Sequence, residues 1–252
     1  MQENIKRIIA VRHGQSVGNI ARHEAFLRDN NSFYEDPNFL YINPDHYELS
    51  QLGIEQSKKA GEFLRQVLLL NPGVYFSSNN FRTRQTAAYV FPDAILNINE
   101  PLLRERNYAG FDKLTKEEWQ KRLKEANISD VEDSYDWKIP GGESARDIEG
   151  RLKNFLSKLS ETKTDNDETF IFTHGELLQV LRVMLHKLDP SDYIKFKTTI
   201  KNGVKNCQIF IFNLDPKTNT LLSEETYFYE NGQWHKGAYD KNSGVMELPE
   251  YK

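Results

Sequence analysis

Two short runs of apolar residues, far apart in the chain, end in the same way. The run from Ile8 to Val11 leads into Arg12-His13-Gly14, and the run from Thr169 to Thr173 leads into His174-Gly175. Short apolar runs rich in β-formers predict buried strands. Both histidines are therefore expected at the carboxyl ends of strands, where open α/β sheets bind their ligands.

Strand and helix patterns alternate along most of the chain. Apolar residues at helical spacing predict helices over about 49–70 and 145–159, and further strands are predicted over 74–78, 94–98, 207–214 and 220–229. This alternation predicts one α/β domain with a mostly parallel central sheet and an antiparallel edge strand. The domain is expected to span residues 1–230.

Two segments show neither the helical nor the strand periodicity of apolar residues. Residues 21–50 are rich in Asn, Asp and aromatic residues and predict a long loop insertion, either a lid or a packed structural element. Residues 231–252 are polar and predict a C-terminal tail. Aromatic side chains in the loop are more often used for packing than for ligand contact.

The composition limits which binding partners and which cellular compartment we expect. The formal net charge of the 252 residues is −4 and offers no basic field for nucleic acid or an anionic membrane surface. The sequence contains no run of 18 apolar residues and no secretory pattern at Met1, and its single cysteine, Cys207, fits a reducing compartment. We therefore expect a cytoplasmic protein without nucleic-acid or membrane partners, and the oligomeric state stays open.

The residues after the first strand suit chemistry on a phosphoryl group. A neutral imidazole at His13 is a nucleophile, Arg12 is a permanent holder of anions, and Gly14 allows the backbone to approach a ligand. A histidine in this position can also be purely structural. No pair of histidines has the spacing of metal ligands, so no metal and no cofactor are predicted.

These motifs resemble the histidine phosphatase superfamily, also called the phosphoglycerate-mutase-like family, over about residues 7–215. Phe81-Arg82-Thr83 lies in a segment similar to the family's Ser-x-x-x-Arg-x-x-x-Thr-Ala pattern, and Glu105 lies in one similar to its general-acid loop. The resemblance implies a phosphoglycerate-mutase-like three-layer sandwich. It also implies a phosphohistidine at His13, phosphoryl oxygens held by Arg12, Arg82 and His174, and proton transfer by Glu105.

Further residues enter the site through the same resemblance. The implied substrate-binding residues are Gly14, Ser16, Asn19, Tyr108, Lys116 and Gly175. Tyr108 and Lys116 can equally be ordinary loop and helix-surface residues. Glu105 can equally be a surface carboxylate paired with Arg104 or Arg106.

Three departures from the family's mutases indicate which activity to expect. Glu132-Asp133 stands where the mutases carry an arginine pair, Val17-Gly18 where they carry a small residue and tryptophan, and Glu176 where they carry asparagine. Carboxylates in place of arginines would repel a phosphoglycerate. We therefore expect a phosphomonoester hydrolase acting on a small molecule; the alternatives are a phosphoglycerate-type phosphomutase and a non-catalytic module that binds a phosphorylated ligand.

Overall fold

A single mixed β-sheet organises the chain. The computed structural model describes residues 6–27, 39, 41–70, 72, 74–129, 134–161, 168–198, 203–240 and 245–247. Within these residues the strands are β1 (Arg7–Arg12), β2 (Val74–Ser77), β3 (Leu96–Asn99), β4 (Glu168–Thr173), β5 (Ile209–Leu214), β6 (Leu221–Glu230), β7 (Gln233–Asp240) and β8 (Val245–Glu247). They form a sheet in the order β3-β2-β4-β1-β5-β6-β7-β8.

Helices cover both faces of the sheet. They are α1 (Val17–Leu27), α2 (Gln51–Glu62), α3 (Phe81–Val90), α4 (Lys116–Glu125), α5 (Ala145–Glu161), α6 (Gly175–His186) and α7 (Tyr193–Thr198), and a π-helical turn, Phe63–Val67, continues α2. The described part of the chain contains no helix with the length and apolarity needed to cross a bilayer.

The period of two along β1 divides the core into two layers. Ile8 and Ala10 pack with α5 and α6 on one face. Ile9 and Val11 pack with α2 and α3 on the other face. Since alternate strand residues point to opposite faces, a strand buried on both sides reads as a continuous apolar run. The α/β class and the three-layer arrangement predicted from the sequence are confirmed.

The antiparallel part of the sheet is larger than the sequence predicted. β3, β2, β4 and β1 are parallel, and β5 to β8 are all antiparallel to their neighbours. The sequence predicted one antiparallel strand at the edge of the sheet, and the structure has four antiparallel strands there. The expected boundary at residue 230 is also not a boundary of the sheet, because β7 and β8 lie within the segment predicted as a polar tail. A strand with one face in solvent carries many polar residues, so its sequence is hard to distinguish from that of a loop before its partner strand is known.

The predicted loop 21–50 begins as a helix. Residues up to Leu27 belong to α1, so the prediction that the loop starts at residue 21 is wrong. Residues 28–38 and 40, which carry the middle of the predicted loop, lie outside the described residues. Tyr47 is buried and its ring meets that of Phe39 edge to face at 5.4 Å, whereas Tyr41 is exposed.

The start of α2 packs against the loop that follows β1. Ser50 caps the helix by accepting a hydrogen bond from the Gly53 backbone N–H at 3.1 Å, and its own backbone N–H donates to the Gln15 carbonyl at 2.8 Å. The Gln56 side chain accepts a hydrogen bond from the Gln15 N–H at 2.9 Å. A Cβ atom at Gly53 would lie 2.0 Å from the Gln15 carbonyl oxygen, so only glycine permits this approach.

This contact predicts that Gly53→Ala destabilises the protein by about 1–3 kcal/mol, because the helix or the loop must move to admit the methyl group. Gly150→Ala is the matched control. Gly150 lies in α5 with open space around its Cβ position, and there alanine should stabilise by about 0.5–1 kcal/mol through helix propensity. Urea unfolding of the three proteins measures both changes; equal effects of the two substitutions would refute the close contact.

Candidate active site

Parallel pairing of β1 with β4 brings the two histidine motifs together. Arg12 is in register with Thr173, and the His13 N–H donates to the Thr173 carbonyl at 3.0 Å. His13 and His174 therefore follow adjacent strands at the same edge of the sheet. Their ring centroids are 5.2 Å apart in an edge-to-face arrangement, and both residues are buried.

The backbone fixes which nitrogen of His13 is available. Nδ1 lies 2.7 Å from the Gly14 carbonyl oxygen, which can only accept, so Nδ1 carries the proton. Nε2 then presents its lone pair, and Arg82 Nε donates to it at 3.2 Å. Burial, together with Arg82 and Arg12, holds the pKa of His13 well below its usual value. His13 is thus a neutral imidazole whose lone pair lies on Nε2.

His174 is held in the complementary tautomer. Ser78 Oγ donates to Asn80 Oδ1 at 2.8 Å and therefore accepts from His174 Nε2 at 2.9 Å. Arg82 Nη2 lies 3.1 Å from Nδ1, which is left to accept. Burial and the charge of Arg82 hold the pKa of His174 well below its usual value. The contact between Ser78 and His174 was not predicted from the sequence, although Ser78 is the serine of the Ser-x-x-x-Arg pattern.

Two arginines give the site its charge. The Arg82 guanidinium lies between the two imidazoles, and Arg82 stands at the second position of α3, as the sequence predicted. Arg12 Nη1 donates to the Val204 carbonyl at 2.5 Å, but its buried Nε has no hydrogen-bond partner among the described residues. Fixed donors of this kind match the oxygens of a phosphoryl group.

A carboxylate completes the cluster. Glu105 Oε2 lies 3.7 Å from His174 Nδ1, and Oε1 accepts from the Arg106 backbone N–H at 3.0 Å. Burial raises the pKa of Glu105, while Arg82 opposes this shift. The Arg104 guanidinium is hydrogen-bonded to Glu143 and that of Arg106 to Glu176. The alternative in which Glu105 is a surface partner of Arg104 or Arg106 is therefore not what the structure shows.

The cluster has the spacing of a metal site but the charge of an anion site. Ligand atoms of His13, Glu105 and His174 lie within 4.8 Å of one another. The nitrogens of both rings, however, face the Arg82 guanidinium. A cation here would be repelled by Arg82, whereas an anion would be bound by it. The donor set favours a phosphoryl group over a metal ion.

Glu143 holds the loop that carries Glu105. Its two carboxylate oxygens each lie 2.6 Å from a guanidinium nitrogen of Arg104, and Oε2 accepts from the Asn107 N–H at 3.0 Å. Arg151 Nε donates to Oε1 at 3.2 Å. These contacts bind the segment on either side of Glu105 to the start of α5. From the sequence, Glu143 was predicted only as part of a turn into a helix, and its pairing with Arg104 was not predicted.

The residues predicted to bind substrate have different positions. A cavity of about 1400 Å³ lies over the cluster, and its walls include Ser16, Asn19, Tyr108 and Gly175. The sequence suggested that the Gly14 N–H approaches a ligand. In the structure this N–H donates to Thr86 Oγ1 at 3.0 Å instead. Lys116 is the first residue of α4, and its side chain is not among the described parts of the structure.

Asn19 and Thr86 stabilise the loop after β1. Asn19 Oδ1 accepts from the Ser16 N–H at 3.1 Å, and its own N–H donates to Ser16 Oγ at 3.2 Å. Thr86 Oγ1 donates to the Arg82 carbonyl at 2.8 Å while it accepts from Gly14. The loop that carries His13 is thus joined to the helix that carries Arg82. Thr86 belongs to the Thr-Ala part of the family pattern, and its contact with Gly14 was not predicted from the sequence.

Comparison with known proteins agrees with this geometry. A sequence profile described as "Histidine phosphatase superfamily (branch 1)" matches residues 8–225. The chain is similar to the 2,3-bisphosphoglycerate-dependent phosphoglycerate mutase of Chelativorans sp. (strain BNC1), with 28% identity over 227 residues, 86% of this chain and 96% of the relative. The corresponding mutase of Rhizobium meliloti (strain 1021) is 26% identical over 223 residues, 86% of this chain and 94% of the relative.

Solved structures share the fold. A mycobacterial glucosyl-3-phosphoglycerate phosphatase has a TM-score of 0.59 at 22% identity, over 82% of this chain and 92% of its own. The alpha-ribazole phosphatase of Shigella flexneri has a TM-score of 0.64 at 19% identity, over 85% of this chain and 94% of its own. Because the profile spans most of the sequence and the two histidine motifs meet as described, the chain belongs to the histidine phosphatase superfamily.

Proposed function

We propose that this protein is a phosphomonoester hydrolase that works through a phosphohistidine on His13 and needs no cofactor. The observation that carries the proposal is the position of neutral His13 Nε2 beside two arginines and a carboxyl group whose pKa is raised. Nucleophile, anion-binding groups and general acid are then all present within one cavity.

In the first step, His13 Nε2 attacks phosphorus and the bond from phosphorus to the ester oxygen breaks. Glu105 gives its proton to the departing oxygen, while Arg12, Arg82 and His174 bind the phosphoryl oxygens in the transition state. Stabilising charge that spreads over these oxygens is the main catalytic effect available in phosphoryl transfer. Arg82 must move its Nε from His13 to the phosphoryl group as the substrate enters.

In the second step, water attacks the phosphohistidine. The Glu105 carboxylate accepts a proton from this water as the bond from phosphorus to nitrogen breaks, and inorganic phosphate is released. The group therefore acts first as an acid and then as a base, and its raised pKa favours the protonated form that the first step requires.

Sequence and charge favour hydrolysis over mutase activity. Glu132 and Asp133, which lie outside the described residues, occupy the place of the mutases' arginine pair, and Glu176 pairs with Arg106 in the cavity wall. The structural neighbours named above are phosphatases.

Phosphomutase activity is the second candidate. The observation that favours it is the similarity of 86% of this chain to proteins named as bisphosphoglycerate-dependent mutases. A mutase must be primed by a bisphosphate and must retain its phosphohistidine against water, so the two candidates differ in their need for a primer.

Hydrolysis of p-nitrophenyl phosphate tests the proposal. We expect release of phosphate without added metal or bisphosphate, unaffected by chelator, and reduced at least about 10³-fold in His13→Ala, because the nucleophile is lost. His23→Ala, which changes an exposed histidine in α1, should keep full activity. Dependence on a bisphosphate would favour the mutase, and absence of turnover in every variant would favour a module that only binds phosphorylated ligands.

The pKa shifts predict a bell-shaped pH profile. Activity should rise with pH through the lowered pKa of His13, which must lose its proton, and fall through the raised pKa of Glu105, which must keep its proton. Glu105→Gln should remove the basic limb and slow alkyl phosphates by about 10²–10⁴-fold. The profile of kcat/KM from pH 4 to 9 measures this. An unchanged basic limb in Glu105→Gln would assign that limb to another group.

Glu143→Gln should act as a weaker form of the Glu105 substitution, because it loosens the loop that carries the acid. We expect alkyl phosphates to slow about 10–100-fold while 2,4-dinitrophenyl phosphate, whose leaving group needs no proton, changes little. Glu168→Gln, which breaks the pair with Arg7 at the opposite end of β4, is the control. Equal slowing of both substrate types would mean that Glu143 supports the fold alone.

A further inference from the structure

One wall of the cavity carries a carboxylate that the chemical steps do not use. Glu176 lies in the first turn of α6, two residues after His174, and lines the cavity beside Gly175. Its Oε1 accepts from Tyr193 Oη at 2.6 Å, Lys197 Nζ at 2.8 Å and Arg106 Nη1 at 3.2 Å. Among the described residues, no donor is bonded to its Oε2.

The cations of this wall are already engaged. Arg106 is almost fully buried, pairs with Glu176, and donates to the Trp137 carbonyl at 2.9 Å and to the Glu143 carbonyl at 2.7 Å. Lys197 shares the same carboxylate oxygen. An incoming carboxylate would have to compete with Glu176 for both cations, and it would meet the negative charge of Glu176 in a partly desolvated place.

The neighbouring wall is aromatic. Tyr108 and Phe111 line the cavity with Trp119, whose ring centroid lies 6.2 Å from that of Tyr108 and 5.5 Å from that of Phe111. Such rings pack against a carbon skeleton or a planar group and do not require charge. An aromatic wall beside an open carboxylate oxygen suits a leaving group that is neutral and donates a hydrogen bond.

We propose that Glu176 selects phosphomonoesters whose alcohol is uncharged and carries a further hydroxyl or N–H group, which donates to Glu176 Oε2, and that it rejects esters with a second anionic group. This inference rests on the proposed hydrolase function and names its substrate class. Glu176 is a specificity-determining residue, because it touches the leaving group and not the transferred phosphoryl group.

Two substrates of nearly the same shape test this assignment. Glycerol 3-phosphate and 3-phosphoglycerate differ by a hydroxymethyl group in place of a carboxylate. Wild-type protein should prefer glycerol 3-phosphate in kcat/KM by at least about tenfold, since one like-charge contact is worth a tenfold change or more. In Glu176→Gln the preference should fall by about tenfold, mostly through faster turnover of 3-phosphoglycerate, while p-nitrophenyl phosphate changes little.

Control variants separate specificity from folding. Glu225 accepts from Tyr227 and Lys236 as Glu176 does from Tyr193 and Lys197, but it lies on β6 and does not line the cavity. Glu225→Gln should leave the preference unchanged. Lys197→Met should strengthen it, because the charge of Glu176 is then less compensated, and this variant keeps the test decisive if Glu176→Gln does not fold.

The outcomes distinguish this inference from the proposed function. If the wild type hydrolyses both substrates and Glu176→Gln keeps the same preference, the role of Glu176 alone is overturned. A wild-type preference for 3-phosphoglycerate would overturn it as well. Failure of the wild type to hydrolyse p-nitrophenyl phosphate or either glycerol derivative would contradict the hydrolase function and the inference with it.

Discussion

The contacts of the Arg82 guanidinium with His13 and His174 hold the site together. The guanidinium donates to His13 Nε2 and lies against His174 Nδ1, so one planar group sets the spacing of two imidazoles from different strands. Burial lowers the pKa of both rings, and the charge of Arg82 lowers it further. A buried cation without a full counter-charge is costly, and a phosphoryl dianion supplies the acceptors that Arg82 and the Arg12 Nε atom can use.

Three glutamates around this positive centre differ by environment. Glu105 has no direct cationic partner in the described structure and has a raised pKa, which suits proton transfer. For Glu143 burial raises the pKa, but Arg104, Arg151 and the Asn107 N–H outweigh it and leave the net shift downward. For Glu176 burial likewise raises the pKa, and Lys197, Tyr193 and Arg106 reverse it. Burial alone therefore does not identify an acid catalyst; the direction of the shift depends on which donors each carboxylate meets.

Local patterns predicted the strands and the motifs but not the contacts between motifs. The apolar runs before His13 and His174 located β1 and β4, because a strand buried on both faces gives a short, nearly continuous run of β-branched and aromatic residues. The extent of the antiparallel half was missed because β7, with the sequence QWHKGAYD, has no continuous apolar run and needs β6 to be recognised. Glu143 was read as a local helix-start residue because its partner Arg104 is 39 residues away, a separation that no periodicity reveals. The Gly14 N–H was assigned to a ligand because the sequence does not show that Thr86 accepts from it.

Identification of the phosphorylated nitrogen is the most direct test of the proposed mechanism. Because His13 Nδ1–H donates to the Gly14 carbonyl, only Nε2 is available for attack. The protein is quenched in alkali during turnover and digested, and the phosphohistidine isomer is identified by phosphorus-coupled NMR. We expect phosphate on Nε2 of His13. Phosphate on Nδ1, phosphate on His174, or turnover without any covalent phosphate would contradict the proposed mechanism.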